Sequence, residues 1–507
     1  MRNKQVFKNL WGNLILQLIT AVSGLVLPRL FIAAYGSTVN GMISSVGQFL
    51  AYLNLVEAGI SAAAIVELYA PLNQNDTAKI NSVLSAIRHF YYRSGFAYLI
   101  LLVLLTVFYP LFVKGQVDDL STRIFILVLA CSNLVDYFFV GKYRVLLVAD
   151  QRGYIISLAQ TVGTLLNLFA SMILIQCGSG FLLVKTVATF LYISRIIYIY
   201  YYVRKHYKFL NFRTSYPNGL LNQRWAALLH QIVGVVVNNT DLVILTLFMG
   251  SNSLSEISVY SVYNMVAMAL TALLGIFSNG VSSSFGSILF SDQDENDTLK
   301  NAYSNYEYLY MLVLFCVYAC DAVLLCSFVK IYTAGITDAV YVRYYIAMLF
   351  VALGFLQNVR IPSLTIICAA GHFKETKYRA ILEAVINIVV SLLLVKPYGM
   401  AGILIGTICS YLYRSADCIL YNSKYIVKGT LLKTIRRIVR NLVITLAYII
   451  LVNKLLVIDP AGFIGWFGYA VITAIGGGLL LVIVNGVAEP AQMKQLFERC
   501  KNVLKRA

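Results

Sequence analysis

KTVATFLYIS, residues Lys185–Ser194, returns as GTICSYLYRS, residues Gly406–Ser415. Thr186 and Thr407, Leu191 and Leu412, Tyr192 and Tyr413, and Ser194 and Ser415 coincide, at an offset of about 220 residues. Further pairs follow in the same order at nearly the same offset. Asn167 and Ser171 recur as Asn387 and Ser391, four residues apart and so on one helix face. EAGIS at Glu57–Ser61 parallels SNGVS at Ser278–Ser282, and a turn at Gly36 parallels one at Gly250. One such match would mean little; several in register point to an internal duplication.

The residues around these segments are those of a membrane. The chain has 507 residues, 60% hydrophobic and only 12% charged, with mean hydropathy +0.77. Soluble domains carry about 25% charged residues. Apolar runs of about 20 residues or more, bounded by polar ones, mark about fourteen spans, the first at 9–34 and the last at 463–486. Runs this long are helices; barrel strands would show short polar–apolar alternation. The first run is too long for a signal-peptide core. The expectation is an all-α polytopic membrane protein with two six-helix repeats around a central cavity, plus two C-terminal helices. The bundles are placed at 1–210 and 211–425, and the last two helices and tail at 426–507. With an even number of spans per repeat, both copies share one orientation about an axis along the membrane normal.

Lys and Arg set the sidedness. With the N-terminus inside, loops carrying Lys142, Arg144 and Arg152, or Lys374, Lys377 and Arg379, are cytoplasmic. The opposite side holds only Lys114, Arg123, Lys185, Lys330, Arg343, Lys396 and Lys454. About four inner cations face each outer one, so both termini are expected in the cytoplasm. The net charge of +18 reads as this bias and not as a nucleic-acid surface. The acidic loop Ser291–Lys300 leaves it intact, since acidic residues count little. Segments Thr77–Arg93 and Asp297–Tyr308 are expected to lie along the inner surface as amphipathic helices. The nine cysteines and four histidines show no metal spacing, and there is no P-loop. Neither metal nor cofactor is expected.

A few polar residues interrupt the runs. FLQNVRIPSLTIICAAGHFKET, Phe355–Thr376, places Arg360 and Pro362 in the inner half of span 342–370. A charge there belongs against protein or water, and the proline bends the helix. Arg29 beside Pro28, Arg195, and Arg414 with Asp417 three residues on are the other buried cations. Asp136, Asp241 and Glu57 are candidates for ion coupling or for neutralising an arginine; Asp321 and Glu383 belong to the same group. Asn167 and Asn387 suit hydrogen bonds between helices or to sugar hydroxyls.

The region of Gly36, Glu57 and Gly59, LLVADQRGYI at Leu146–Ile155, and RIPSLTIICAAGHFKETKY through YGMAGILIGT resemble the polysaccharide-transporter family. These are the O-antigen, capsule and teichoic-acid flippases of the multidrug/oligosaccharidyl-lipid/polysaccharide exporter superfamily. The resemblance covers most of the chain. It implies a bacterial plasma-membrane protein, not an enzyme, that moves a polyprenyl-pyrophosphate-linked oligosaccharide outward, alongside polysaccharide polymerase and glycosyltransferases. Arg360, Arg29, Arg195, Arg414, Asn167 and Asn387 are its candidate substrate contacts. A multidrug or cation antiporter of the same superfamily would rely on cavity carboxylates, and helix 1 carries Arg29 and none. A glycosyltransferase or polymerase would need a large loop holding catalytic residues; the outer loops here are short.

Overall fold

The computed structural model describes residues 2–58, 60–212, 214–215, 224–279, 281–289, 296–455, 460 and 462–506. Gly59, Gly280 in SNGVS and the acidic loop up to Glu295, all read above, lie outside the described residues. Regular structure among the described residues is entirely helical. The chain divides into two compact units, Met1–Val259 and Tyr260–Ala507.

The first unit holds α1 (Arg2–Leu53), α2 (Ile60–Gln74), α3 (Thr77–Phe112), α4 (Asp119–Val135), α5 (Gly141–Ala149), α6 (Gly153–Gln176), α7 (Phe181–Ile193), α8 (Arg195–His206) and α9 (Arg224–Phe248). Helix α10 (Ser253–Asn279) crosses the boundary. The second unit continues with α11 (Ser282–Leu289), α12 (Asn296–Tyr332), α13 (Tyr344–Val359), α14 (Ile361–Ala369) and α15 (Phe373–Tyr421). It ends with α16 (Leu431–Leu455), α17 (Phe463–Ala488) and α18 (Pro490–Arg506).

Eleven helices among the described residues are long and apolar enough to cross a bilayer. The chain is a multi-pass membrane protein. Eleven is not the expected fourteen, partly because α1 and α15 each hold two of the apolar runs, joined at a single glycine. Gly36 (φ 82°) and Gly399 (φ 57°) adopt the left-handed backbone that side chains resist, which lets one residue turn the chain. The run at 227–249 is helical as α9, of which Asn239–Phe248 forms a shorter apolar stretch.

After Gly399 the second segment of α15 folds back along the first. Asn387 Nδ2 donates to Thr407 Oγ1 at 2.9 Å, and Ser391 Oγ to the Ile403 carbonyl at 3.3 Å. A Cβ on Gly402 would lie 2.1 Å from the Leu394 carbonyl oxygen, and one on Gly406 would lie 2.2 Å from Ser391 Oγ. Gly402 and Gly406 are a small-x-x-x-small pair, and in lipid such pairs let backbones touch where hydrophobic driving force is absent.

In α1, the first segment runs parallel to α6. Asn9 Nδ2 donates to the Gln151 carbonyl at 2.8 Å, and Tyr35 Oη to the Ser179 carbonyl at 2.5 Å. The second segment runs antiparallel to α9: Ser45 Oγ meets Thr246 Oγ1 at 2.7 Å, and Tyr52 Oη meets Thr240 Oγ1 at 2.5 Å. These registers sort the loops as the alternation of spans requires. Gln116 Nε2 donates to the Gly250 carbonyl at 3.1 Å at one end of the helices. At the other end, Asn81 Nδ2 donates to the Phe209 carbonyl at 3.0 Å.

Thr77–Arg93 and Asp297–Tyr308 are not surface helices. Each is the first part of a longer helix, α3 or α12, with Ile80, Leu84, Ile87, Tyr303 and Tyr308 buried. Helix α12 holds no proline or glycine, and α3 runs unbroken through Gly95 at the junction, so neither helix stops there. At 1.5 Å per residue, α3 is about 54 Å long, well beyond a hydrocarbon core of about 30 Å.

Two outcomes follow from this packing. Gly402→Ala should lower the melting temperature of the purified protein by several degrees, from overpacking worth about 1–3 kcal/mol. Gly24→Ala, where no atom lies within 4 Å, should leave it unchanged. Exposed Cys177, beside the outer turn after α6, should react with a membrane-impermeant maleimide in intact cells, and Cys177→Ser should remove that label.

Candidate functional site: buried arginine clusters

The buried ions gather into clusters where helices lose regular geometry. In the first unit three such places meet. Asn54–Glu57 is a 3₁₀ turn, Asp136–Val140 a π turn, and α7 breaks from α8 at Ser194–Arg195. Arg144 Nη2 donates to Glu57 Oε1 at 2.8 Å and lies 3.6 Å from Asp136 Oδ2 through Nη1. Arg195 Nη2 donates to the same Asp136 oxygen at 3.1 Å, and Nη1 to Tyr192 Oη at 2.9 Å. Its guanidinium also stacks on the Tyr192 ring, 4.0 Å from the centroid. Ser61 and Tyr91 donate to Glu57 Oε1 at 2.8 and 2.5 Å. Two arginines thus balance two carboxylates.

The second unit has its own cluster, built from α13, α14 and the two segments of α15. Arg360 ends α13 and precedes α14, so the span is broken at the arginine itself. Pro362 then falls in the first turn of α14, where its missing N–H has no helical partner to lose. Arg360 Nη1 donates to Glu383 Oε1 at 2.5 Å, with the arginine side chain 12% exposed. Arg414 lies 3.5 Å from Glu383 Oε2 and donates to Asp417 Oδ2 at 2.7 Å. Arg379 donates to the other Asp417 oxygen, and the Arg360 guanidinium lies over the Tyr411 ring at 4.8 Å. Here three arginines face two carboxylates, and Nε of Arg360 is buried without an acceptor.

A third cluster fastens α16–α18 to α12 near its first turns. Arg437, 1% exposed, donates to Glu307 Oε2 at 2.8 Å and Glu489 Oε2 at 2.5 Å. Arg440 donates to Glu489 Oε1 at 2.7 Å, and Thr434 to Glu307 at 2.6 Å. Burial pushes the Glu489 carboxyl up, but the two arginines outweigh it and hold it below the ordinary glutamate range.

Of the residues singled out from sequence, Arg195, Asp136 and Glu57 meet in one cluster and Arg360 and Arg414 in another. Glu383 joins the second cluster, and the others lie elsewhere. Asn387 holds the α15 hairpin, Asn167 accepts from Ser171 Oγ at 3.3 Å within α6, Arg29 is half-buried on α1, and Asp241 is buried on α9. Arg144, Arg379 and Arg437 read from sequence as inner-side loop cations, and Glu489 went unread. A cation recurring on one face, as at Lys433, Arg437 and Arg440, was the available signal for the last cluster.

No family model matches this sequence, and no curated protein does. Solved structures do match. A lipid II flippase, MurJ, in an inward closed conformation aligns over 94% of this chain and 98% of its own, with TM-score 0.66 and 14% identity. The fold is that of the MOP superfamily. An inward-facing multidrug resistance MATE transporter of the MOP superfamily covers 83% of this chain and 95% of its own, at TM-score 0.64 and 15% identity. A MOP transporter from Pyrococcus furiosus, described as having a binding pocket of reversed polarity, covers 84% of this chain and 96% of its own at TM-score 0.52 and 13% identity. At such identities the MOP fold is shared and the cargo is not specified; that depends on the residues placed on it.

Removing one partner of a buried pair leaves an uncompensated charge at a cost of about 3–5 kcal/mol. Arg360→Met and Glu383→Leu should therefore each destabilise the protein strongly in thermal unfolding. The double variant should recover much of that loss, with a coupling energy well above that of an exposed pair such as Lys79–Asp76.

Proposed function

We propose that this protein is a flippase of the polysaccharide-transporter type, which moves a polyprenyl-pyrophosphate-linked oligosaccharide from the inner to the outer leaflet of a bacterial plasma membrane by alternating access. The observation that carries the reading is the second-unit cluster, with its surplus guanidinium and the unsatisfied Nε of Arg360. Guanidinium groups bind phosphate oxygens through two parallel hydrogen bonds. A pyrophosphate brings acceptors to a place where arginine outnumbers carboxylate. Arg360, flanked by a helix break, is the proposed first contact, with Arg414 and Arg379 behind it. Arg29, Arg195, Asn167 and Asn387 are the lesser candidates, and Asp136, Asp241 and Glu57 those for ion coupling.

The flippase reading includes cytoplasmic termini, two six-helix bundles divided near residue 210, and a third segment from 426. It also includes partners that build and polymerise the sugar. An inside-negative membrane potential helps an anion outward, by about 2.3 kcal/mol per charge per 100 mV across the full field. The rival cation exporter needs carboxylates free to bind cargo, and those of the two arginine clusters, Glu57, Asp136, Glu383 and Asp417, each hold an arginine.

In a strain lacking its own flippase, Arg360→Ala at normal membrane level should reduce surface polysaccharide export by about tenfold or more, and Arg360→Lys less. Undiminished export by Arg360→Ala rules out the phosphate contact. Efflux of organic cations by the wild type, without flipping of lipid-linked sugar in proteoliposomes, would favour the exporter.

A further inference from the structure

The buried carboxylates of the clusters have arginine partners, and one carboxylate elsewhere does not. Asp321 sits on α12, about three turns from its outer end. It is 8% exposed and forms neither a hydrogen bond nor an ion pair among the described residues. Glu307 on the same helix, 2% exposed, is held by Arg437 and Thr434. An isolated carboxylate in apolar surroundings is costly while ionised, and taking a proton removes that cost.

The helices packed on α12 bring no cation to Asp321. Within their spans α13 offers only Tyr344 and Tyr345, and α17 only Tyr469. Helix α16 offers Tyr448, with Arg437 and Arg440 committed to Glu307 and Glu489, Lys433 and Arg436 in its inner turns and Lys454 in its last. Helix α14 adds Cys368 and α11 nothing ionisable, while Lys494 and Glu498 of α18 lie at the inner end. Helix α10, joined through Thr271, carries Glu256 in its first turn, Tyr260 and Tyr263. On its own helix Tyr318, Cys320 and Cys326 lie within two turns of Asp321. No cluster of metal-ligating side chains occurs among the described residues, so a metal ion would lack a coordination shell there.

A proton also needs a route, and α12 presents a polar stripe. At 100° per residue, Tyr303, Glu307, Tyr310, Tyr318 and Asp321 fall within an arc of about 80°. Tyr303 Oη donates to Glu307 Oε1 at 2.9 Å near the inner end. Tyr310 Oη is buried without a partner. One turn below Asp321, Tyr318 Oη accepts from Asn358 Nδ2 at 2.9 Å, and Asn358 Nδ2 also reaches Thr271 Oγ1 at 3.1 Å.

We propose that Asp321 is a proton-binding site of this protein, served from the inner end along the polar face of α12. Binding of the proton stands by itself; its coupling to transport rests on the flippase reading. The test is infrared spectroscopy of the purified full chain in lipid nanodiscs at neutral pH. A carboxylic-acid carbonyl band should be present in the wild type, absent in Asp321→Asn and shifted in Asp321→Glu. Titration to high pH should release about one proton fewer from Asp321→Asn. Identical spectra for wild type and Asp321→Asn overturn the site. If Asp321→Asn does not fold, an unshifted band in Asp321→Glu overturns it equally. In proteoliposomes, wild-type flipping should vary with pH and Asp321→Asn should be flat; a retained pH profile overturns the coupling. Absence of flipping in the wild type, with the band in place, removes the flippase reading and leaves the proton site standing.

Discussion

A charge inside a membrane span has to be matched within the protein, and much of this architecture turns on that matching. Glu57, Asp136, Arg144 and Arg195 come from four elements of the first unit and satisfy one another. Arg360, Glu383, Arg414, Asp417 and Arg379 do so in the second. Pairs such as Arg144–Glu57, Arg195–Asp136 and Arg360–Glu383 tie together helices that lipid, as apolar as their own surfaces, would not press together. The helix irregularities sit at these ties. A 3₁₀ turn, a π turn and a break converge on the first cluster, and the Arg360 break on the second. Such departures from regular geometry are common at functional places in helices.

Small residues supply the other kind of tie. The α15 hairpin depends on Gly399 for its turn and on Gly402 and Gly406 for backbone contact, with Asn387 and Ser391 bonding across it. Gly41 likewise lets α1 meet the start of α10, where a Cβ would lie 1.7 Å from the Leu254 carbonyl oxygen. The MOP fold joins these close contacts to the charge clusters, and cargo chemistry is then a matter of which charges are spent on one another. The two clusters differ in that respect: the first is balanced, and the second retains a guanidinium in excess.

Much of this could be read from the residues. The long apolar runs and the many-spanning helical fold emerged from composition and periodicity, and the likeness to the superfamily from a few motifs that resemble it. Arg414 with Asp417 was visible as an i, i+3 pair. Arg144 was not, for a geometric reason. It follows the π turn at Asp136–Val140, and one extra residue per turn rotates the rest of that helix by about 100° relative to a regular wheel. The surface placement of Thr77–Arg93 and Asp297–Tyr308 failed because polarity was taken to mean solvent. One face of each, with Ile80, Leu84, Ile87, Tyr303 and Tyr308, is buried against the protein.

By itself the sequence determined that the chain is helical, that it crosses a membrane many times, and that Gly36 marks a turn. Each is a local property: hydrophobic length, charge bias, or the lack of a Cβ. The tertiary structure alone decided which charges meet. Arg360 and Glu383 are 23 residues apart, and Arg144 and Glu57 are 87 apart. Neither spacing carries a signal along the chain. Pairing depends on which helices become neighbours and on their rotational phase after each break, and packing sets both.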